Sequence, residues 1–343
     1  MAQEKYNYGL GLLRVFLTIF VILNHFWESD VISRALMPLS TMRSVAVPTF
    51  MLMSFYLTAR KISSGSAGAL KKRIIRLAIP FFVWGGLSWF LMFLIQKVTG
   101  MQIINGISAL GWQMLTGHAF HVNAPLWYMA VLMWLTICFS LVFMTKNKRW
   151  QVITLNILAV LALIAQYSGL NHYVFGDLSF ELKYPLGRIA EMLPYATLGY
   201  DLAHFRVFDL IGEKVKNHAM VFIGSLILLL IQISIIPVPP MSGFGYSGMY
   251  RIVASMLTFT LFYYLPVQRI GKSGRKTLSI VTGHTLGVYC MHYLIGNILV
   301  IGIEKAGFSV NFFVLAMMIY TICYVLACFM SKIPNKFIGS LVD

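Results

Sequence analysis

From end to end the chain alternates between apolar stretches of about 20 residues and short polar or basic segments. A helix of that length, rising 1.5 Å per residue, matches the ~30 Å of hydrocarbon in a bilayer. The pattern predicts about ten helical spans, at roughly 9–27, 43–60, 74–96, 122–144, 150–168, 185–203, 218–236, 248–267, 278–298 and 310–330. The segment 97–121 is semi-apolar and reads as a stretch that dips back into the membrane or caps a cavity. The linker 61–70 is rich in small residues and runs into the basic cluster Lys71-Lys72-Arg73. There is no internal repeat and no low-complexity tail.

Composition agrees with this pattern. Of 343 residues, 59% are hydrophobic and 11% charged, with a mean hydropathy of +0.77, whereas a soluble domain carries about 25% charge. The expected fold is therefore all-α, a polytopic transmembrane helical bundle, and one membrane domain accounts for residues 1–343. The net charge of +16 does not imply nucleic acid, because the basic residues lie in short loops between spans. With the N-terminus inside, Arg60, Lys61, Lys71, Lys72, Arg73, Arg76, Lys146, Lys148, Arg149, Arg269, Lys272, Arg275 and Lys276 all face the cytoplasm. The opposite side holds far fewer, among them Arg34, Arg43, Arg188 and Arg251. The positive-inside rule then places both termini in the cytoplasm. The four cysteines all fall within spans and suggest neither a disulfide framework nor a metal site. The first apolar segment lacks a small-residue cleavage site and reads as a span, not a signal peptide.

Against this background the ionisable residues inside spans stand out, since such residues usually face a cavity or the bundle interior. In the first span Arg14 precedes His25 by eleven residues. At about 100° and 1.5 Å per residue, that spacing puts both on one face, ~16 Å apart along the axis. The plainer alternative is an arginine snorkelling to the headgroups and a histidine at the far interface. Glu28 follows His25 at i+3, where it either orients the imidazole or sits exposed at the loop edge. In the third span Arg73 and Arg76 share a face next to Lys72, as a phosphate clamp or as a positive-inside anchor; Pro80 is expected to kink that helix. In the ninth span Tyr289 and His292 share a face, lining a site or packing. His118 and His121 have a spacing compatible with a metal but lack further ligands, so no metal is expected. Arg188 and Glu191 read as a buried ion pair.

The stretch LLRVFLTIFVILNHF resembles the opening span of the acyltransferase 3 family, integral-membrane enzymes that acylate cell-surface sugars. The resemblance continues through Arg43-SVAVPTFMLMSFY, the Arg73–Arg76 pair, Leu126-Trp127-Tyr128, YATLGYDLA (195–203) and HTLGVYCMH (284–292). It covers essentially the whole chain and is nearest to enterobacterial-type sugar O-acetyltransferases without an extra soluble domain. Two positions depart from the family: Ser54-Phe55-Tyr56 stands where Ser-Gly-Tyr is usual, and Pro125 stands where a histidine usually precedes the tryptophan by two residues. His121 is the candidate to take that histidine's place.

The resemblance implies a transferase of a bacterial cytoplasmic (inner) membrane with an acyl-CoA donor, most often acetyl-CoA, and no resident cofactor. The acceptor it implies is a hydroxyl of a glycan or of its lipid-linked precursor. In that scheme Arg14, Lys72, Arg73 and Arg76 bind the donor. His25, oriented by Glu28, acts as general base or as acyl-carrying nucleophile. Arg43, Trp127, Tyr128, Tyr289 and His292 bind the acceptor or line the cavity. The alternative class is a transporter or flippase of a lipid-linked saccharide, which would also place polar residues inside a bundle. The absence of repeat halves and of matched broken spans weighs against it.

Overall fold

The computed structural model describes residues 7–26, 37–63, 67–100, 123–145, 147–168, 180–215, 217–235, 246, 248–269 and 271–342. Among the described residues there is no strand. Thirteen α-helices follow one another: α1 (Tyr8–Phe26), α2 (Met37–Ser63), α3 (Ala67–Thr99), α4 (Trp127–Phe143), α5 (Lys148–Tyr167), α6 (Phe180–His204), α7 (Val207–Lys214), α8 (His218–Ile235), α9 (Met249–Tyr263), α10 (Lys272–Val281), α11 (Thr285–Lys305), α12 (Phe312–Ser331) and α13 (Lys336–Ser340). The 3₁₀ turn Ala124–Leu126 leads into α4, and a second, Pro266–Arg269, follows α9.

Among the described residues, each of the predicted intervals contains helix. Among the described residues, six helical stretches are long and apolar enough to cross a membrane: Tyr8–Phe26, Gly68–Thr99, Ala124–Phe143, Lys148–Tyr167, Thr285–Lys305 and Phe312–Ser331; the bent pair Val207–Lys214 and His218–Ser234 makes a seventh if taken as one span. Others fall short for physical reasons: α6 carries Glu181, Lys183, Arg188, Glu191 and Asp201, and α9 spans only 15 residues. One expectation changes. The ninth interval is not one helix, because α10 closes at Thr282 and Gly283 and α11 begins at Thr285, so His284 falls in the turn. Pro80 lies inside α3, which runs on to Thr99 and also takes in the basic run Lys71–Arg76 at its start.

The core lies along α1 and α2. α1 packs on α2, α9, α10, α11 and α12, while α2 makes its largest contact with α6 and also touches α4 and α9. Lipid tails are as apolar as leucine, so burying apolar surface does little to hold such helices together. Close van der Waals approach does more. A Cβ on Gly199 of α6 would lie 2.1 Å from the Leu52 carbonyl oxygen of α2, and one on Gly9 of α1 would strike the Phe262 carbonyl of α9. Some hydroxyls inside the bundle donate to their own helices, as Thr18 does to Arg14 O (2.8 Å) and Thr49 to Val45 O (2.7 Å). The outward faces are apolar, with Ile157, Leu161 and Ile164 of α5 and Val314, Met317 and Val325 of α12 exposed. Soluble monomers rarely present so continuous an apolar surface, and the chain is a multi-pass membrane protein.

Helix direction sets where the polar residues meet. Asn7, just before α1, donates from Nδ2 to Tyr263 O at the last turn of α9. The first turns of α9 therefore lie toward the other end of α1, where His25 stands.

Candidate active site

α1 is unbroken from Tyr8 to Phe26, so the eleven-residue spacing of Arg14 and His25 lies on one continuous helix. Both side chains are half-buried. The His25 ring meets two rings of α11: His292 at 5.7 Å between centroids and Tyr293, edge-on, at 5.1 Å. α11 comes this near because Gly296 leaves space that the Phe26 ring fills; a Cβ there would collide with it. On the other flank Arg43 donates from Nη2 to Asn24 Oδ1 at 3.3 Å, and it lies within electrostatic reach of both His25 and Tyr246. Glu28 lies outside the described residues, as do His118, His121 and most of the 97–121 segment.

His292 is fully buried, and its Nδ1 lies 2.6 Å from the Tyr289 carbonyl oxygen. A carbonyl oxygen only accepts, so this contact assigns the ring proton to Nδ1 and leaves Nε2 with a free lone pair. Among the described residues Nε2 has no hydrogen-bond partner. A buried base with its tautomer set by the backbone therefore stands beside His25.

Aromatic rings continue from this pair into the bundle. Tyr289 is 5.7 Å from His292 and 5.7 Å from Tyr128, and Phe50 touches both tyrosines at 6.3 Å. The Tyr289 hydroxyl donates to the Pro125 carbonyl at 2.6 Å. The position that usually holds a histidine in the family thus contributes its backbone oxygen here. The start of α4, with Trp127 and Tyr128, is held by buried Asn123, whose Nδ2 donates to Ser88 Oγ at 2.9 Å and to Cys290 O at 3.0 Å.

Arg73 lies within electrostatic reach of Tyr128 from the other side. Its Nε donates to Thr136 Oγ1 at 2.9 Å, its Nη2 to Ser54 Oγ at 3.1 Å, and its guanidinium lies 5.3 Å over the Phe55 ring. Phe55 is fully buried and packs on Phe139 at 4.4 Å. The phenylalanine that replaces the family's usual glycine therefore forms a platform for this arginine. Lys72 and Arg76 are exposed, so the run does not act as one fork: Arg73 turns inward while its neighbours stay on the flank.

Sequence reasoning passed over Asn24, Tyr293, Ser54 and Thr136, which hold or face the predicted residues. Asn24, Ser54 and Thr136 had left a signal as polar residues inside apolar spans, Ser54 within the Ser54-Phe55-Tyr56 motif; Tyr293 had left none beyond adjacency. The expected Arg188–Glu191 pair is present at 2.8 Å. Among the described residues no group of three metal-ligating side chains comes together.

The assembled features are a histidine pair, a tyrosine pair behind it and an inward arginine beyond, all within one helical bundle. The arrangement suits proton transfer to and from a hydroxyl beside a bound polyanion. No curated protein and no solved structure matches the chain. The family model described as an acyltransferase domain matches residues 7–331, nearly its whole length, and the protein belongs to the acyltransferase 3 family of membrane acyltransferases.

Proposed function

We propose that the protein is an acyl-CoA-dependent O-acyltransferase of a bacterial cytoplasmic membrane, with about ten spans and both termini in the cytoplasm. It moves an acetyl group to a hydroxyl of a cell-surface glycan or of its lipid-linked precursor. The observation that carries this reading is the approach of the His25 and His292 rings to 5.7 Å at one end of an aromatic path whose other end is Arg73.

In this reading Arg73, with the exposed Lys72 and Arg76 beside it, takes up the phosphates of coenzyme A through charge-assisted hydrogen bonds. Arg14 stands farther along the route of the thioester. The acceptor hydroxyl gives its proton to the imidazole of His25 as its oxygen attacks the thioester carbonyl. Collapse of the tetrahedral intermediate breaks the carbon–sulfur bond, and the departing thiolate takes that proton back, giving ester and free coenzyme A. A positioned base of this kind is typically worth ~10²–10⁴-fold. His292, with its Nε2 lone pair available, helps hold the hydroxyl or the His25 ring in line.

The test is transfer of radiolabel from acetyl-CoA to candidate glycans by purified protein in nanodiscs. Label on the glycan supports the reading. Movement of an unmodified lipid-linked sugar across the bilayer without acyl transfer would make the protein a transporter instead. Label retained on the protein when acceptor is withheld would replace the general base by an acyl-histidine route. The topology has its own test: cysteines placed at Ser64 and Ser273 should react only from the cytoplasm and one at Ser179 only from outside. External labelling of Ser64 would overturn the ten-span arrangement.

A further inference from the structure

Beside the histidine pair lies a second polar cluster that the reaction scheme does not use. The Arg188 guanidinium is ion-paired to fully buried Glu191 at 2.8 Å and lies over three rings: Trp127 at 4.7 Å, Tyr184 at 5.2 Å and Tyr246 at 5.4 Å. One arginine and one glutamate balance in charge. A second arginine does not: Arg251, in the first turn of α9, is 4% exposed. Its guanidinium lies 4.8 Å over the Tyr250 ring and within electrostatic reach of Glu191. No hydrogen bond to the Arg251 side chain is found among the described residues, and its Nε is buried without a partner.

An arginine has five donors in a planar fork, and a buried charge without hydrogen bonds is costly, more so inside a membrane. Other atoms nearby are in the same condition. Ser255 and Thr258 follow Arg251 at i+4 and i+7 on one face of α9, are buried, and have side-chain oxygens without partners, as does Glu191 at Oε1. Such groups inside a helical bundle call for a polar occupant. Arg251 adds one positive charge in excess of the Arg188–Glu191 pair, and a planar fork is matched by an oxyanion. The cluster adjoins the histidine pair: Trp127, under Arg188, is next to Tyr128, which leads through Tyr289 to His292, and Arg43 lies within electrostatic reach of both His25 and Tyr246.

We infer that Arg251, with Ser255 and the Arg188–Glu191 pair around it, is a binding subsite for an oxyanion, a phosphate or carboxylate, carried by the acceptor substrate. The inference rests on the acyltransferase reading for the word acceptor, but the binding itself does not require acyl transfer. A glycan bearing an acidic sugar, or one linked to a polyprenyl phosphate, would place its anionic group there while the hydroxyl to be acylated reaches His25.

The test measures binding without acyl donor, on full-length protein in phosphatidylcholine nanodiscs. Its probes come in pairs: farnesyl phosphate against farnesol, and glucuronic acid against glucose. A third arm compares phosphatidylglycerol nanodiscs with phosphatidylcholine ones by thermal stability. The expected result is preference for one soluble oxyanion over its neutral counterpart, weakened at least about tenfold in Arg251→Gln, as loss of charge-assisted bonds implies. Arg251→Lys should restore it in part, and His25→Gln should bind as the wild type does while failing to transfer acetyl. Equal binding of charged and neutral probes, or unchanged binding in Arg251→Gln, overturns the subsite and leaves a hydrated structural arginine. A response confined to phosphatidylglycerol assigns the cluster to a phospholipid headgroup and overturns the acceptor role. If Arg251→Gln fails to fold, failure of wild type and Arg251→Lys to discriminate either probe pair decides against the subsite. No transfer by the wild type while oxyanion binding persists would sink the acyltransferase reading and spare the subsite.

Discussion

The two ends of the polar path differ in how far their groups are satisfied. Around Arg73 the hydrogen bonds are closed. Thr136 accepts from the guanidinium while donating its own proton to Leu132 O at 2.6 Å, Ser54 accepts from Nη2, and Phe55 supports the plane from beneath. Around His25 and in the neighbouring arginine cluster they are open: Nε2 of His292 and Nε of Arg251 are buried without partners among the described residues. A closed set keeps its geometry whether or not substrate is present, as a docking point for a donor should. An open set acquires its full hydrogen bonding only when something enters, as a site for reacting groups should. The difference fits the proposed scheme, which puts donor binding at one end and chemistry at the other.

The largest effect that would break this contrast is expected at His25. His25→Gln should insert, fold and bind acetyl-CoA, yet lose at least about 100-fold in transfer rate, because an amide cannot take up a proton near neutral pH. The measurement is turnover per folded molecule, with donor binding checked separately. Near-wild-type turnover would move the chemistry elsewhere. Next comes Arg73→Met, which should raise the apparent KM for acetyl-CoA by about 10- to 150-fold, from roughly 1.5–3 kcal/mol of charge-assisted bonding. Lysine at this position should recover only part, since a point charge cannot bond Thr136 and Ser54 while lying flat on Phe55. The exposed Arg76 should respond less than Arg73; an equal response would mean that the inward arginine has no special place. The smallest effect sharpens the comparison. His292→Gln should lower kcat by roughly 2- to 13-fold, the range of a neutral hydrogen bond, and leave the donor KM unchanged. A shift in donor KM with unaltered kcat would show that His292 serves packing alone.

Much of this was legible before any coordinates. Arg14 and His25 share one strip of α1 because the helical repeat is a local property, fixed by 3.6 residues per turn whatever the helix packs on. The same local rule placed Tyr289 with His292 and Arg188 with Glu191, and the latter pair is found bonded. Apolar run length located the helices because an unsatisfied backbone in hydrocarbon is so costly that the chain must coil wherever it is apolar for long enough. The rule weakened at 278–298, where Gly283 and the turn around it divide an interval that hydropathy reads as continuous.

What the tertiary structure decided are the relations between helices far apart in sequence. Nothing in the residue types says that His25 faces His292, that Pro125 supplies a carbonyl to Tyr289, or that Phe55 carries Arg73. Nor does the sequence set Arg251 near Glu191, sixty residues earlier in the chain. These contacts follow from which helix backbones come close enough to touch, as α6 does to α2 at Gly199 and Leu52. In a bilayer that choice rests on the summed fit of many small surfaces and not on a local pattern. The sequence by itself determined the helices, their faces and the family. Packing determined which polar atoms are closed off and which are left open for a substrate.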